Sequence, residues 1–226
     1  LKEQPVKLAL FDLDHTLIPM DSDYAWGSYT TDIGWTDPVV FKQRNDDFYA
    51  HYKAGTLDIH EYVLFATAAA RRQGATKSIA AHADFMRTVV QPSITPQALD
   101  LLQQHREAGA QLVIVTATNA FVTRPIAQAL GVEELIAVDL EQDASGWITG
   151  NIQGVPSFRE GKITRVEQWL AQRGLGWQDV DATFYSDSIN DLPLLEKVQH
   201  PVATNPDARL RAIAQERGWR ILELFS

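Results

Sequence analysis

The sequence predicts an α/β fold: a Rossmann-like three-layer core with a mainly parallel sheet, plus an inserted helical-bundle cap domain. Three observations predict it. Short apolar runs (Leu8–Phe11, Gln111–Val115, Ala182–Tyr185) lack helical periodicity and end in polar residues, as buried parallel strands do. From Ser93 onward such runs alternate with helical stretches, which implies right-handed crossovers. Between about Asp21 and Val90 the pattern is helical, with no convincing strand. The core is expected in residues 1–18 and 92–226, and the cap in residues 19–91.

Leu8–Phe11 is the first expected strand. It delivers Asp12 and Asp14, then Thr16. Ligands of open α/β sheets sit at the carboxyl ends of strands. Two carboxylates there repel each other, and they become compatible if a hard cation such as Mg²⁺ lies between them. A simple loop cap is the alternative. Asp21 or Ser22 opens the first inserted helix. Asp37-Pro38 opens the second, which Gly55 stops. Asp58-x-x-Glu61 resembles a capping box and opens the third, ending near Arg71-Arg72-Gln73-Gly74. Thr76 opens the fourth, which ends at Val90 before Pro92.

Thr95-Pro96 begins a helix that Gly109 ends. The strand Gln111–Val115 runs into Thr116-Ala117-Thr118-Asn119, and a helix follows to Gly131. Leu135–Leu140 reads as strand, with a turn at Ala144-Ser145-Gly146 and a return strand at Trp147-Ile148-Thr149. Gly161–Arg173 is helical, with Ile163, Val166, Trp169 and Leu170 on one face. Ala182–Tyr185 ends in Ser186-Asp187-Ser188-Ile189-Asn190-Asp191. A short helix, a Pro201–Ala203 strand, an Ala208–Arg217 helix and a strand near Arg220–Leu224 complete the reading.

The chain has 226 residues, enough for one domain with an insertion. Its net charge of −9 argues against a nucleic-acid or anionic-membrane surface. With no cysteine, disulfides, thiolate zinc sites and cysteine nucleophiles are excluded. No apolar run approaches a bilayer span, and the opening L-K-E-Q-P lacks the apolar core of a signal peptide. A cytoplasmic monomer or homodimer is the expectation.

Three strands thus end in polar clusters: Asp12/Asp14/Thr16, Thr116/Thr118/Asn119 and Asp187/Ser188/Asn190/Asp191. Lys162, at a helix start, adds a cation. Each has a plainer alternative: Thr116 as a helix N-cap, Lys162 as a solvated lysine, the Asp187–Asp191 loop as a turn. Together, in this order, Asp12-x-Asp14-x-Thr16, Val113-Ile114-Val115-Thr116, Lys162 and Asp187-Ser188-x-x-Asp191 resemble the four-motif signature of the haloacid dehalogenase-like hydrolases. The helical insertion resembles the C1-type cap of the phosphoserine phosphatase-like branch (subfamily IB). The resemblance spans nearly the whole chain.

That resemblance implies a Mg²⁺-dependent phosphomonoesterase working through an aspartyl-phosphate on a small phosphorylated metabolite. Asp12 would be the nucleophile. Asp14 would protonate the leaving oxygen and then deprotonate water, with ionised Asp12 raising its pKa. Thr116 and Lys162 would stabilise the phosphoryl group. Asp12, Asp187 and the backbone carbonyl of Asp14 would hold Mg²⁺. Asp191, Asn190, Ser188 and Thr118 would support them. A phosphotransferase using the same intermediate and a non-catalytic phosphate-binding module are the alternatives.

For substrate, Asp21 falls near the position where phosphoserine phosphatases carry an amine-binding glutamate, and Asp23 is close by. Either can equally cap a helix. His15 either touches substrate or shapes the loop. In one register, the position of the carboxylate-gripping arginine falls on Leu64, leaving Arg44, Arg71 or Arg72 to substitute. The expected cap is dense in aromatics: Tyr24, Trp26, Tyr29, Trp35, Phe41, Phe48, Tyr49, Tyr52 and Tyr62. An amino alcohol phosphate with a ring, such as histidinol phosphate, fits an acid, an aromatic wall and no clamp.

Overall fold

A computed structural model describes residues 4–225. Most of the L-K-E-Q-P opening therefore lies outside the described residues. Strand β1 (Val6–Phe11) leads into five helices, α1 (Ser22–Asp32), α2 (Pro38–Ala54), α3 (Ile59–Ala66), α4 (Ala68–Gln73) and α5 (Ala75–Phe85). A turn of π-helix at Met86–Val90 joins α5 to the short α6 (Gln91–Ser93). Then come α7 (Pro96–Glu107), β2 (Gln111–Asn119), α8 (Ala120–Ala129), β3 (Glu134–Val138), the hairpin β4 (Leu140–Gln142) and β5 (Ile148–Ile152), and α9 (Glu160–Ala171). The chain continues through β6 (Val180–Ser186), α10 (Leu192–Lys197), β7 (His200–Thr204), α11 (Ala208–Arg217) and β8 (Arg220–Leu222).

Six strands form one parallel sheet in the order β3-β2-β1-β6-β7-β8. Side chains alternate across it. Ala9 and Phe11 enter one apolar layer with Leu102 and Ile126. Leu8 and Leu10 enter the other with Val166 and Leu170. This is the expected α/β core. No helix among the described residues is long and apolar enough to cross a membrane.

Four boundaries differ from expectation, each for a local reason. The third inserted helix is two helices. The buried Thr67 hydroxyl donates back to the Val63 carbonyl at 2.7 Å, which bends the ladder there. The fourth helix runs past Val90 to Ser93. Pro92 is tolerated because it lies in the first turn of α6, where a missing N–H costs little. β2 continues to Asn119 through an irregular register after Val115. Leu135–Leu140 is split: β3 ends at Val138, and Leu140 pairs antiparallel with Ile152 in a separate two-stranded sheet.

The inserted helices are rooted in the core. Trp26 of α1 and Phe85 of α5 are buried in the same apolar layer as Phe11. Val63 of α3 packs with Leu140 and Ile148 of the hairpin. His82 of α5 lies among Trp26, Phe85 and Phe121, and its Nε2 donates to the Val122 carbonyl at 3.1 Å. Burial pushes His82 down to about 4, against the opposing pull of that carbonyl. A depressed histidine contributes its stability above the unfolded value near 6.5 and loses it as pH falls through 4. Urea unfolding at pH 7 and pH 4 is expected to show wild type losing about 3 kcal/mol more than His82→Gln.

Candidate active site

The sheet reverses direction of growth at β1, whose neighbours are β2 and β6. Such a switch point opens a crevice at the strands' carboxyl ends. Asp12 follows β1, Thr116 lies in β2 beyond the register break, and Asp187 follows β6. The three expected polar clusters meet there.

Lys162 completes the centre. Its Nζ lies 3.0 Å from Asp12 Oδ1 and 2.7 Å from Asp191 Oδ2, and the residue is only 2% exposed. It is no solvated lysine. Gly161 brings it in: a Cβ there would stand 2.0 Å from the Pro156 carbonyl oxygen, so only glycine lets α9 start so close to the preceding loop. Burial alone would lower the Lys162 pKa, but Asp12 and Asp191 outweigh it and hold the ammonium above its usual range. Asp191 also accepts from the Ser186 hydroxyl at 2.7 Å. Burial, opposed by Lys162, leaves its carboxyl at about 6.

The Thr16 hydroxyl stands 3.5 Å from Asp12 Oδ2 and 3.3 Å from Asp187 Oδ1. Asp187 is held well above the ordinary carboxylate range, first by burial, then by Asp12 and Asp191. Two buried carboxylates, Asp12 and Asp191, thus share one lysine, and Asp187 beside them has no cation within ion-pair distance among the described residues. That excess negative charge, on hard oxygen donors, suits a divalent cation between Asp12 and Asp187. Among the described residues no three His, Cys, Asp or Glu side chains form a closed metal cage. Two carboxylates and a carbonyl would leave much of the shell to water, as Mg²⁺ prefers.

Asp14 turns away from Asp187. Ser22 N donates to its Oδ1 at 2.9 Å, and the Thr118 hydroxyl meets its Oδ2 at 2.9 Å. Only its backbone carbonyl is left for a metal role. Its pKa is raised well above the ordinary value, chiefly by burial and next by Asp21; Asp12, the expected cause, is a lesser one. Thr116 is buried and lines the cavity, and its Oγ1 accepts from Thr118 N at 3.1 Å. The N-cap of α8 is Asn119, so Thr116 is free of that duty.

A cavity of about 530 Å³ joins this centre to the inserted helices. Asp12, Asp14, Thr116, Thr118, Lys162, Asp187, Ser188, Asn190 and Asp191 border it from the core, and Asp21, Phe48, Tyr49, Tyr52 and Tyr62 from the segment of inserted helices. His15 also faces it, in the left-handed region at φ 57° that favours glycine, held by the Asn205 side chain on its carbonyl at 2.8 Å. It therefore both shapes the loop and lines the cavity.

Two expected substrate residues are elsewhere. Arg44 stacks over Phe48 and Phe65 at 5.0 and 5.7 Å, outside the cavity lining. Asp23 is buried behind the lining rather than in it. Leu64, Arg71 and Arg72 are also away from the cavity; Arg71 binds the Leu64 carbonyl and Arg72 the Trp35 carbonyl. Asp21 both lines the cavity and caps α1 by accepting from Tyr24 N.

Sequence reasoning missed two contributors, Asp207 and Ser157, and one contact between residues it had named, Tyr52 and Ser188. Asp207 accepts from Ile189 N at 3.0 Å and steadies the Asp187 loop. The Ser157 hydroxyl donates to the Thr116 carbonyl at 2.5 Å. The Tyr52 and Ser188 hydroxyls lie 2.8 Å apart, linking α2 to the loop of Asp187. Asp207 and Ser157 are ordinary cap and loop residues in sequence, and only tertiary contact distinguishes them.

Residues 9–196 match the family model of the haloacid dehalogenase-like hydrolases. The chain belongs to this family. Among relatives of this haloacid dehalogenase-like hydrolase, a histidinol-phosphatase of Neisseria meningitidis serogroup C (strain 8013) is 43% identical over 216 residues, covering 95% of this chain and 97% of that one. The phosphoserine phosphatase SerB1 of Mycobacterium tuberculosis (strain ATCC 25618 / H37Rv) is 30% identical, covering 97% of this chain and 72% of its own. A solved structure from Bordetella pertussis Tohama I, of a protein of unknown function, is 48% identical with a TM-score of 0.92, covering 98% of this chain and all of the other. A substrate-bound phosphoserine phosphatase shares the fold at a TM-score of 0.67 and 16% identity, covering 98% of this chain and 94% of that one. The chain is a phosphatase of this hydrolase family.

Proposed function

We propose that this phosphatase hydrolyses histidinol phosphate, through an aspartyl-phosphate on Asp12. The observation that carries the substrate reading is the lining of the cavity. It brings Asp21 and the aromatic residues Phe48, Tyr49, Tyr52 and Tyr62 together with the phosphate chemistry in one space. An acid and flat aromatic walls suit an ammonium and an imidazole. The 43% identity to a histidinol-phosphatase over almost the full length supports the same reading. Besides Lys162, the cavity's cations are Lys53, which lies 4.5 Å from the Tyr49 ring centroid, and Arg209.

In this mechanism an Asp12 carboxylate oxygen attacks phosphorus and the alcohol departs. Asp14, kept protonated by burial and by Asp21, gives its proton to the leaving oxygen. Asp14 then takes a proton from the water that releases phosphate from Asp12. Lys162 and the Thr116 hydroxyl offset charge on the phosphoryl oxygens. Asp12, Asp187 and the Asp14 carbonyl would hold Mg²⁺, whose charge lets anionic Asp12 approach an anionic substrate. Residues 19–91 act as the cap over a core of residues 1–18 and 92–226.

The test is phosphate release from histidinol phosphate, phosphoserine, sugar phosphates and nucleotides. Histidinol phosphate is expected to lead phosphoserine by at least about tenfold in kcat/KM. A chelator is expected to abolish turnover and added Mg²⁺ to restore it. A preference for phosphoserine, or turnover indifferent to chelator, overturns the corresponding part of the reading.

A further inference from the structure

Three non-glycine residues among the described ones have a positive φ: His15 at 57°, Arg159 at 52° and Asn205 at 46°. Two of them are bonded to each other, since Asn205 Nδ2 donates to the His15 carbonyl at 2.8 Å. The left-handed region costs energy for any residue with a Cβ, and it persists where the surroundings over-determine it. The φ of His15 orients the peptide that carries the Asp14 carbonyl. On one side of His15 that peptide is held by its N–H, which donates to the Met20 carbonyl at 3.2 Å. On the other side Asn205 holds the next peptide.

Asn205 is itself anchored. Its N–H donates to the Leu222 carbonyl at 2.8 Å, and its Oδ1 accepts from Leu224 N at 2.6 Å and Phe225 N at 3.2 Å. Pro206 follows, with its φ fixed by the ring. Asp207 then grips the other catalytic loop. Its N–H donates to the Asp187 carbonyl at 2.9 Å, its Oδ2 accepts from Ile189 N at 3.0 Å, and its Oδ1 caps α11 through Leu210 N at 2.8 Å. The Thr16 hydroxyl closes the ring by accepting from Asp187 N at 3.1 Å. Both Asp207 oxygens are thus taken by backbone N–H groups, so the residue acts through the loop.

We infer that Asn205-Pro206-Asp207 is a positioning segment for the phosphatase reaction. It fixes the loop of Asp14 against the loop of Asp187, and so sets the spacing of the oxygen donors that would hold Mg²⁺. Mg²⁺ demands near-ideal octahedral geometry, so a small change in that spacing is read as affinity. The inference rests on the metal site of the proposed mechanism and deepens it, and it is independent of which phosphate ester is the substrate.

The experiment is a calorimetric Mg²⁺ titration of the full chain without substrate, for wild type, Asn205→Asp, Asp207→Ser and the double variant. Asn205→Asp keeps the acceptor for Leu224 and Phe225 and removes the donor to His15. Asp207→Ser keeps a capping oxygen for α11 and loses the bond to Ile189. Each single variant is expected to raise the Mg²⁺ Kd about tenfold, the scale of outer-shell changes at metal sites. The double variant is expected to match either single one and not their product, because cutting one grip already releases the two loops from each other. At saturating Mg²⁺, kcat is expected to stay nearly unchanged. Arg211→Gln cuts the ion pair of α11 with Glu223 and is expected to leave Mg²⁺ affinity unaltered, whatever it does to the thermal melt. Asn205→Gly, which takes the left-handed region without strain, replaces Asn205→Asp if that variant fails to fold. Single variants that bind Mg²⁺ as wild type does, a double variant that multiplies the two effects, or an equal loss in Arg211→Gln overturns the proposal. Wild type taking up no Mg²⁺ overturns the metal site beneath it. A substrate other than histidinol phosphate overturns the substrate reading alone and leaves the positioning segment standing.

Discussion

Asp12→Asn is expected to remove essentially all phosphate release, a loss of roughly 10⁴-fold or more, while leaving the protein at least as stable as wild type. The loss follows from the proposed chemistry: an amide oxygen is a poor nucleophile and no neighbouring group can replace it in line. The retained stability follows from the geometry. Asp12 raises the pKa of Asp14, Asp187 and Asp191, so its charge repels three neighbouring carboxylates, which offsets the loss of its pair with Lys162. Lys162 keeps its 2.7 Å contact with Asp191. Steady-state rates and a thermal melt, run on one preparation, check both halves. Residual activity within a hundredfold of wild type removes Asp12 from the nucleophile's place, and a sharply lower melting temperature shows that its pair with Lys162 outweighs the repulsion.

The core side of this site was legible because parallel strands put their functional residues directly after an apolar run. Asp12, Thr116 and Asp187 each follow such a run, and Lys162 follows the glycine that admits its helix. The cap side was harder to read. A helix face gives no sign of which aromatic meets the cavity: Trp26 and Tyr62 look alike in sequence, yet Trp26 is core and Tyr62 is wall. Arg44 was misread because a cation near a cleft is equally at home on an aromatic face. The break at Thr67 escaped because one side-chain hydrogen bond decides it. Asp12 does raise Asp14 as expected, but burial and Asp21, which act through tertiary proximity, raise it more.

Lys162→Met is expected to damage both stability and turnover. Removing the cation leaves Asp12, Asp187 and Asp191 facing one another in a buried site, and breaking such a network by one partner costs about 3–5 kcal/mol. Turnover is expected to fall by about 10²–10³-fold, the usual effect of deleting one preorganised stabiliser of transition-state charge. The stability loss has a pH signature. Without Lys162, whose charge opposes the rise, the Asp191 carboxyl moves above its value of about 6. A carboxyl raised in the folded state destabilises it as pH climbs above the unfolded value near 4, so the deficit of the variant is largest at neutral and alkaline pH and shrinks in acid. Adding Asp191→Asn is expected to recover part of the stability and none of the turnover. Denaturant melts at pH 5 and pH 8 with both variants check this. A deficit independent of pH speaks against the charge network.

The apolar layer that runs from the sheet into α1 and α5, and the grip of the hairpin on α3, also set how molecules come and go. Lifting the whole insertion would expose Trp26, Phe85 and Val63 together. α2 is the longest inserted helix, yet over its 17 residues it buries one side chain, Phe48, so little apolar contact holds it down for its length. Its tie to the core is the hydroxyl pair of Tyr52 and Ser188, so a shift of α2 would be felt at the loop of Asp187, where the phosphate chemistry is placed.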